Sequence, residues 1–211
     1  MEELQLREQL LAIAREMNTS GLNQGTSGNL SVRWENGYLL TPSALPYDAC
    51  RPEDLVFMDM DGQSQGKRKP STEWRMHRDI YIARPEAHCV LHVHPVWCTT
   101  LACLERDIPP FHYMVAVAGG DSIPCAPYRL FGSQELSDVL LQTMKQRRAC
   151  LLAHHGLVCC TKSLDNLLPL AVEIEALAKI YVQALQIQEE PPLLSAEQMK
   201  QVQRRFISYR P

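Results

Sequence analysis

Leu30-Ser31-Val32-Arg33-Trp34-Glu35-Asn36-Gly37-Tyr38-Leu39-Leu40-Thr41 is the stretch that decides the fold. Its first five residues alternate apolar and polar, the period of a strand with one buried face. Asn36-Gly37 is a strong two-residue hairpin signal, because both residues tolerate a left-handed backbone. Residues 38–41 then return as a second strand, so this pair is antiparallel. Outward from it, residues 55–58 read as a third strand closed by the turn Asp61-Gly62. Residues 90–94, 122–126, 150–153 and 157–160 supply further strands, the last two joined through His154-His155-Gly156. Helical periodicity covers residues 3–19, 72–83 (with Ser71 as N-cap), 96–104, 133–147 and 164–188, and a last helix begins near Ser195. Pro169 falls in the first turn of the long helix, where proline is tolerated. Helices before, between and after a run of strands predict an α/β fold with a mainly antiparallel sheet.

The chain has 211 residues, which fits one domain spanning 1–211 with a sizeable core. No repeat, linker or low-complexity segment interrupts it. A net charge of -3 gives no electrostatic reason to expect nucleic acid or an anionic membrane as partner. The eight cysteines include no C-x-x-C pair, and several lie in apolar runs. They read as buried free thiols, which favours a reducing compartment. Residues 10–14 are too short and too quickly followed by charge for a signal peptide, and no apolar run approaches a membrane span. A cytoplasmic location is expected.

His92-Val93-His94 lies on a predicted strand, so its two imidazoles project from one face. A third histidine is available where residues 150–153 run into His154-His155. Three imidazoles converging from two strands suit Zn²⁺ with a position left open for water or substrate. Strand alternation puts Leu151, Ala153 and His155 on one face and Leu152 and His154 on the other. It leaves open which face meets the metal. His77 and His88 have no paired spacing and read as surface or structural, and His112 is undecided.

Pro70-Ser71-Thr72-Glu73 opens a helix, where free N–H groups and two hydroxyls could face an oxyanion. Gly25-Thr26-Ser27-Gly28-Asn29 and Thr41-Pro42-Ser43-Ala44 are two more turns that could do so. Three such loops without a Walker-type motif suggest a phosphate monoester rather than a nucleotide.

Taken in order, residues 21–29, Leu40-Thr41-Pro42, Pro70-Ser71-Thr72-Glu73-Trp74, His92-Val93-His94 and His154-His155-Gly156 resemble the class II aldolase/epimerase family. The stretches His112-Tyr113-Met114, Ala118-Gly119-Gly120 and residues 122–128 fit the same pattern, and the similarity covers nearly the whole chain. The resemblance implies a sheet sandwiched between helices and a homotetramer with active sites at subunit interfaces. It implies zinc, one per subunit, on His92, His94 and His155, and it gives Glu73 the part of acid/base. Gly28, Asn29, Ser43, Ala44, Ser71 and Thr72 fall where the family binds phosphate. Tyr113 matches a tyrosine reaching into a neighbour's site, and Phe131 and Tyr209 match aromatics near the substrate aldehyde. Ser43-Ala44 stands where a close member has Thr-Gly, so a positive φ at Ala44 would be costly.

The implied reaction is reversible cleavage of a ketose 1-phosphate, such as L-fuculose 1-phosphate, into dihydroxyacetone phosphate and an aldehyde such as L-lactaldehyde. Lys67 and Lys69 flank a loop, and Lys145, Lys162 and Lys179 sit in polar contexts, consistent with chemistry that needs no Schiff base. A related epimerase or dehydratase would keep the same metal histidines. A non-catalytic scaffold would be expected to lose them.

Overall fold

In the computed structural model, which describes residues 2–209 (side chains through residue 207), eight strands form one sheet in the order β4-β3-β2-β1-β5-β8-β7-β6. They are β1 (Asn29–Trp34), β2 (Gly37–Leu40), β3 (Val56–Asp59), β4 (Ser64–Gln65), β5 (Cys89–Val93), β6 (Cys125–Ala126), β7 (Ala149–Leu152) and β8 (Gly156–Thr161). The helices are α1 (Glu3–Thr19), α2 (Trp74–Ala83), α3 (Val96–Cys103), α4 (Gln134–Met144), α5 (Leu167–Ile187) and α6 (Ala196–Tyr209). Every strand pairing is antiparallel except that of β6 with β7.

The hairpin forms where expected, but its turn is one residue earlier. Trp34 pairs with Gly37, so the two turn residues are Glu35 and Asn36, and Glu35 takes the positive φ of 47°. Gly37 belongs to β2. A Cβ there would collide with the Met58 carbonyl oxygen, so glycine is required by the close approach of β3.

Two apolar clusters lie on opposite faces of the sheet. Leu30, Val32, Leu91, Val93 and Leu151 join α1, α3 and α5 on one face. Val90, Val158, Cys160, Leu152 and Leu40 join α2 and α4 on the other. This places helices on both faces of a mainly antiparallel sheet.

Several predicted boundaries shift: the helix expected over 72–83 begins at Trp74, and the one expected over 133–147 ends at Met144. The third strand begins at Val56, and the strand expected over 122–126 shortens to β6. Residues 164–166 form a 3-10 turn ahead of α5. Two further 3-10 segments, Pro52–Asp54 and Tyr113–Ala118, and the short β4 carried no periodic signal. Among the described residues, no helix is long and apolar enough to cross a membrane. All eight cysteines are free.

Candidate metal and acid–base site

The central strands bring the histidines together. Asn29 pairs with His92 across β1 and β5, so both side chains project toward α2. His92 is fully buried, and its Nδ1–H donates to the Leu157 carbonyl at 3.1 Å. That bond fixes the ring and leaves the Nε2 lone pair facing inward. His94 lies one residue beyond β5. His155 comes from the turn between β7 and β8. Its N–H donates to Leu152 O at 3.0 Å, and His154 takes a left-handed φ of 55°. The turn swings His155 inward and His154 outward, where His154 Nε2 lies 3.2 Å from Glu105. Simple strand alternation does not apply, because β7 has already ended at Leu152.

The ligand atoms of His92, His94 and His155 lie within 4.8 Å of one another. Burial, aided by His92, holds His94 down at about 3 and His155 at about 4. Both rings therefore stay neutral, the form that can donate to a metal.

Glu73 completes the cluster from the N-cap position of α2. Ser71, expected as the cap, lies two residues earlier, where its Oγ accepts from Glu73 N–H at 3.3 Å. Glu73 Oε2 accepts from Asn29 Nδ2 at 3.0 Å and lies 3.2 Å from His92 Nε2. Oε1 is buried 3.3 Å from His155 Nε2 and accepts no hydrogen bond. Burial opposes ionisation of Glu73, but His92, His155 and the Asn29 amide outweigh it and hold the carboxyl well below its usual range. Three imidazole nitrogens and an orphaned carboxylate oxygen thus face one small space. That donor set fits a divalent metal such as zinc.

Two of the hydroxyl-bearing loops are stitched together by backbone hydrogen bonds. Ser43 N–H donates to Lys69 O at 2.9 Å and Ser71 N–H to Thr41 O at 3.2 Å. Gly28 packs against Asn23 and the His92 carbonyl with no room for a Cβ. Ser71 is buried and Ser43 half-buried, whereas Thr72 and Ala44 are exposed. Ala44 does adopt a positive φ, 56°. Phe131 is exposed beside Gly132, which packs on the Thr72 carbonyl and whose own carbonyl accepts from Arg75 at 2.9 Å. Tyr113 is also exposed and stacks on His112 at 4.8 Å between ring centroids. The Tyr209 side chain lies outside the described residues. His88 is exposed, as a surface histidine should be. His77 is fully buried and hydrogen-bonded at both ring nitrogens, a role its isolated position in the sequence did not reveal.

Histidine cluster and carboxylate define a metal-competent acid–base centre, and comparison with known proteins gives its family. Residues 8–182 match the model for the Class II Aldolase and Adducin N-terminal domain. The chain belongs to the class II aldolase family, whose members are metal-dependent, and is an aldehyde-lyase. It is 45% identical over 209 residues to the L-fuculose phosphate aldolase of Escherichia coli (strain K12), covering 99% of this chain and 97% of that protein. It is 50% identical over 204 residues to a 5-methylthioribulose-1-phosphate/5-deoxyribulose-1-phosphate aldolase of Rhodospirillum rubrum, covering 97% of this chain and 92% of that one. A solved L-fuculose 1-phosphate aldolase superposes with a TM-score of 0.92 at 35% identity, covering 95% of each chain.

Proposed function

We propose that this aldolase cleaves a short-chain ketose 1-phosphate reversibly into dihydroxyacetone phosphate and an aldehyde. The observation that carries the reading is Glu73 itself: an ionised carboxylate with one free oxygen, buried against three imidazoles. His92, His94 and His155 hold one Zn²⁺ per subunit. When bound, Zn²⁺ supplies a Lewis acid for substrate oxygens that gain charge during carbon–carbon cleavage. Glu73 carries the proton to and from the carbon that becomes the hydroxymethyl of dihydroxyacetone phosphate. Gly28, Asn29, Ser43, Ala44, Ser71 and Thr72 line the phosphate subsite. The stitching of the Thr41 and Ser71 loops supports this, since it holds their hydroxyls on one rim.

Tyr113 acts from a neighbouring subunit of a homotetramer, taking the hydroxyl proton in the cleavage direction. Its exposure supports action in trans. Phe131 and Tyr209 border the aldehyde. The protein is cytoplasmic, in keeping with eight reduced thiols.

L-fuculose 1-phosphate, releasing L-lactaldehyde, is the first substrate reading. The relative at 50% identity favours a second one, 5-methylthioribulose 1-phosphate or 5-deoxyribulose 1-phosphate. Steady-state assay of the zinc-loaded enzyme against all three separates them by kcat/KM. A triose phosphate product is expected. A same-mass isomer would make the protein an epimerase, and loss of water would make it a dehydratase. Chelation should abolish turnover and zinc should restore it, whereas full activity without metal overturns the reading.

A further inference from the structure

Glu73, His77 and Tyr81 are spaced four residues apart, so they share one face of α2 and its N-cap, with a rise of about 6 Å between them. Asn29 and Ser31 are two apart on β1 and share the face opposite, with a rise of about 6.6 Å. These rises nearly match, and the two rows interleave. Glu73 Oε2 meets Asn29 Nδ2 at 3.0 Å, and Asn29 Oδ1 meets His77 Nε2 at 2.6 Å. His77 Nδ1 meets Ser31 Oγ at 2.7 Å, and Ser31 Oγ meets the Tyr81 hydroxyl at 2.8 Å. All five side chains are buried.

We propose that His77 is a positioning residue for Glu73, held as the Nε2–H tautomer so that it locks the Asn29 amide with its NH₂ toward the carboxylate. The argument is one of donor and acceptor polarity. An ionised carboxylate only accepts, so Asn29 must present Nδ2 to it. Asn29 Oδ1 then faces His77 and needs a donor, which only Nε2–H supplies. His77 Nδ1 is left as an acceptor for the Ser31 hydroxyl, so Tyr81 donates to Ser31. Every link is determined by the one before it. The reverse tautomer would force the amide to flip and set Asn29 Oδ1 against Glu73 Oε2, two buried acceptors in contact. Burial keeps His77 neutral, which is the state this order requires. His77 therefore aims Glu73 at the histidines through Asn29, without touching substrate itself.

This inference rests on Glu73 as the proton carrier, and its test separates the two ideas. The first measurement needs no turnover: long-range ¹H–¹⁵N correlation of the full-length, histidine-labelled, zinc-loaded enzyme, with His77 assigned by loss of its signals in His77→Gln. A protonated Nε2 and a bare Nδ1 are expected. An Nδ1–H tautomer overturns the proposal whatever the activity. The second measurement compares two variants. Glutamine places its amide nitrogen near the imidazole Nε2, so His77→Gln should keep kcat within about threefold. His77→Leu leaves Asn29 free to turn and should lower kcat by about 10–100-fold, with dihydroxyacetone phosphate hydrogen exchange falling in step. Equal kcat in both variants overturns the positioning role. Should His77→Leu not fold, the tautomer decides alone. If Glu73→Gln proves fully active, it is the acid/base reading that fails, and the tautomer assignment stands independently.

Discussion

Strand β1 is packed in two different ways on its two faces. Leu30 and Val32 point into an apolar layer with α1, α3 and α5. Asn29 and Ser31 point the other way and meet Glu73, His77 and Tyr81 through a buried line of hydrogen bonds. The apolar face supplies free energy, about 1.5–3 kcal/mol for each large side chain buried, and asks only for volume. The polar face contributes little net energy per bond, yet its donors and acceptors follow one order. The lesson is a division of labour across one strand: one face holds the fold, the other sets the direction in which a carboxylate points.

The strongest way to break that comparison is Glu73→Gln. The amide is nearly isosteric and the apolar face is untouched, so thermal unfolding and zinc content should stay close to wild type. Turnover should fall by about 10²–10⁴, the usual worth of a positioned acid/base. Exchange of one pro-chiral hydrogen of dihydroxyacetone phosphate in deuterated water should become nearly silent. A variant that exchanges at the wild-type rate would reduce Glu73 to a first-turn helix acid.

Leu30→Ala is the converse. Leu30 is wholly buried, and its truncation should cost about 2–5 kcal/mol of stability by urea titration. The kcat of the folded fraction should stay within about threefold of wild type. A large loss of kcat at unchanged stability would mean that the two faces are not separable.

The pH dependence of stability sharpens the comparison further. His77 is held neutral, at about 3, mainly by burial and then by His92. Its unfolded counterpart takes up a proton near pH 6.5. Between these values the unfolded chain binds the extra proton, so stability falls as pH falls and is flat above the unfolded value. His94 and His155 shift the same way, so metal-free protein is the one to measure. His77→Gln should flatten the slope near pH 5 by about one proton, roughly 1.4 kcal/mol per pH unit. An unchanged slope would show that His77 is protonated in the native state. Apolar-face variants such as Leu30→Ala should lower the whole curve without changing its slope.

Much of the fold was legible because its signals are local. The alternation of Leu30–Trp34, the following turn residues and the long periodic helices needed no partner to be read. The two-residue β4, the parallel seat of β6 and the 3-10 turn carrying Tyr113 exist only because something packs beside them. At the site, the paired spacing of His92 and His94 was visible, but the choice between His154 and His155 was not. A backbone turn with a positive φ at His154 decides it, and alternation counts only while a strand continues. The row Glu73, His77, Tyr81 and the pair Asn29, Ser31 were both present as spacings. Each row is half of a pattern, and the other half comes from the crossing of α2 over β1. His77 taken alone was indistinguishable from any buried histidine.

The smallest expected effect concerns backbone rather than side chains, at Ala44 on the loop that leaves β2. Its φ is 56° and its side chain is exposed, so packing does not enter. A left-handed backbone costs a Cβ-bearing residue about 1 kcal/mol. Ala44→Gly relieves that cost but gives the unfolded chain more freedom, a penalty of about 0.4–1 kcal/mol. The two nearly cancel, so Ala44→Gly should change stability by less than about 0.5 kcal/mol. Ala44→Val has no such cancellation, because a β-branched residue is a genuine outlier at positive φ. It should cost more than about 1 kcal/mol, or else release the loop and raise the KM for the phosphorylated substrate. If Ala44→Val matches wild type in both urea titration and KM, the loop does not hold its left-handed turn in solution. The rim formed by Ser43 and Ser71 would then owe its shape to the Thr41 and Lys69 backbone bonds alone.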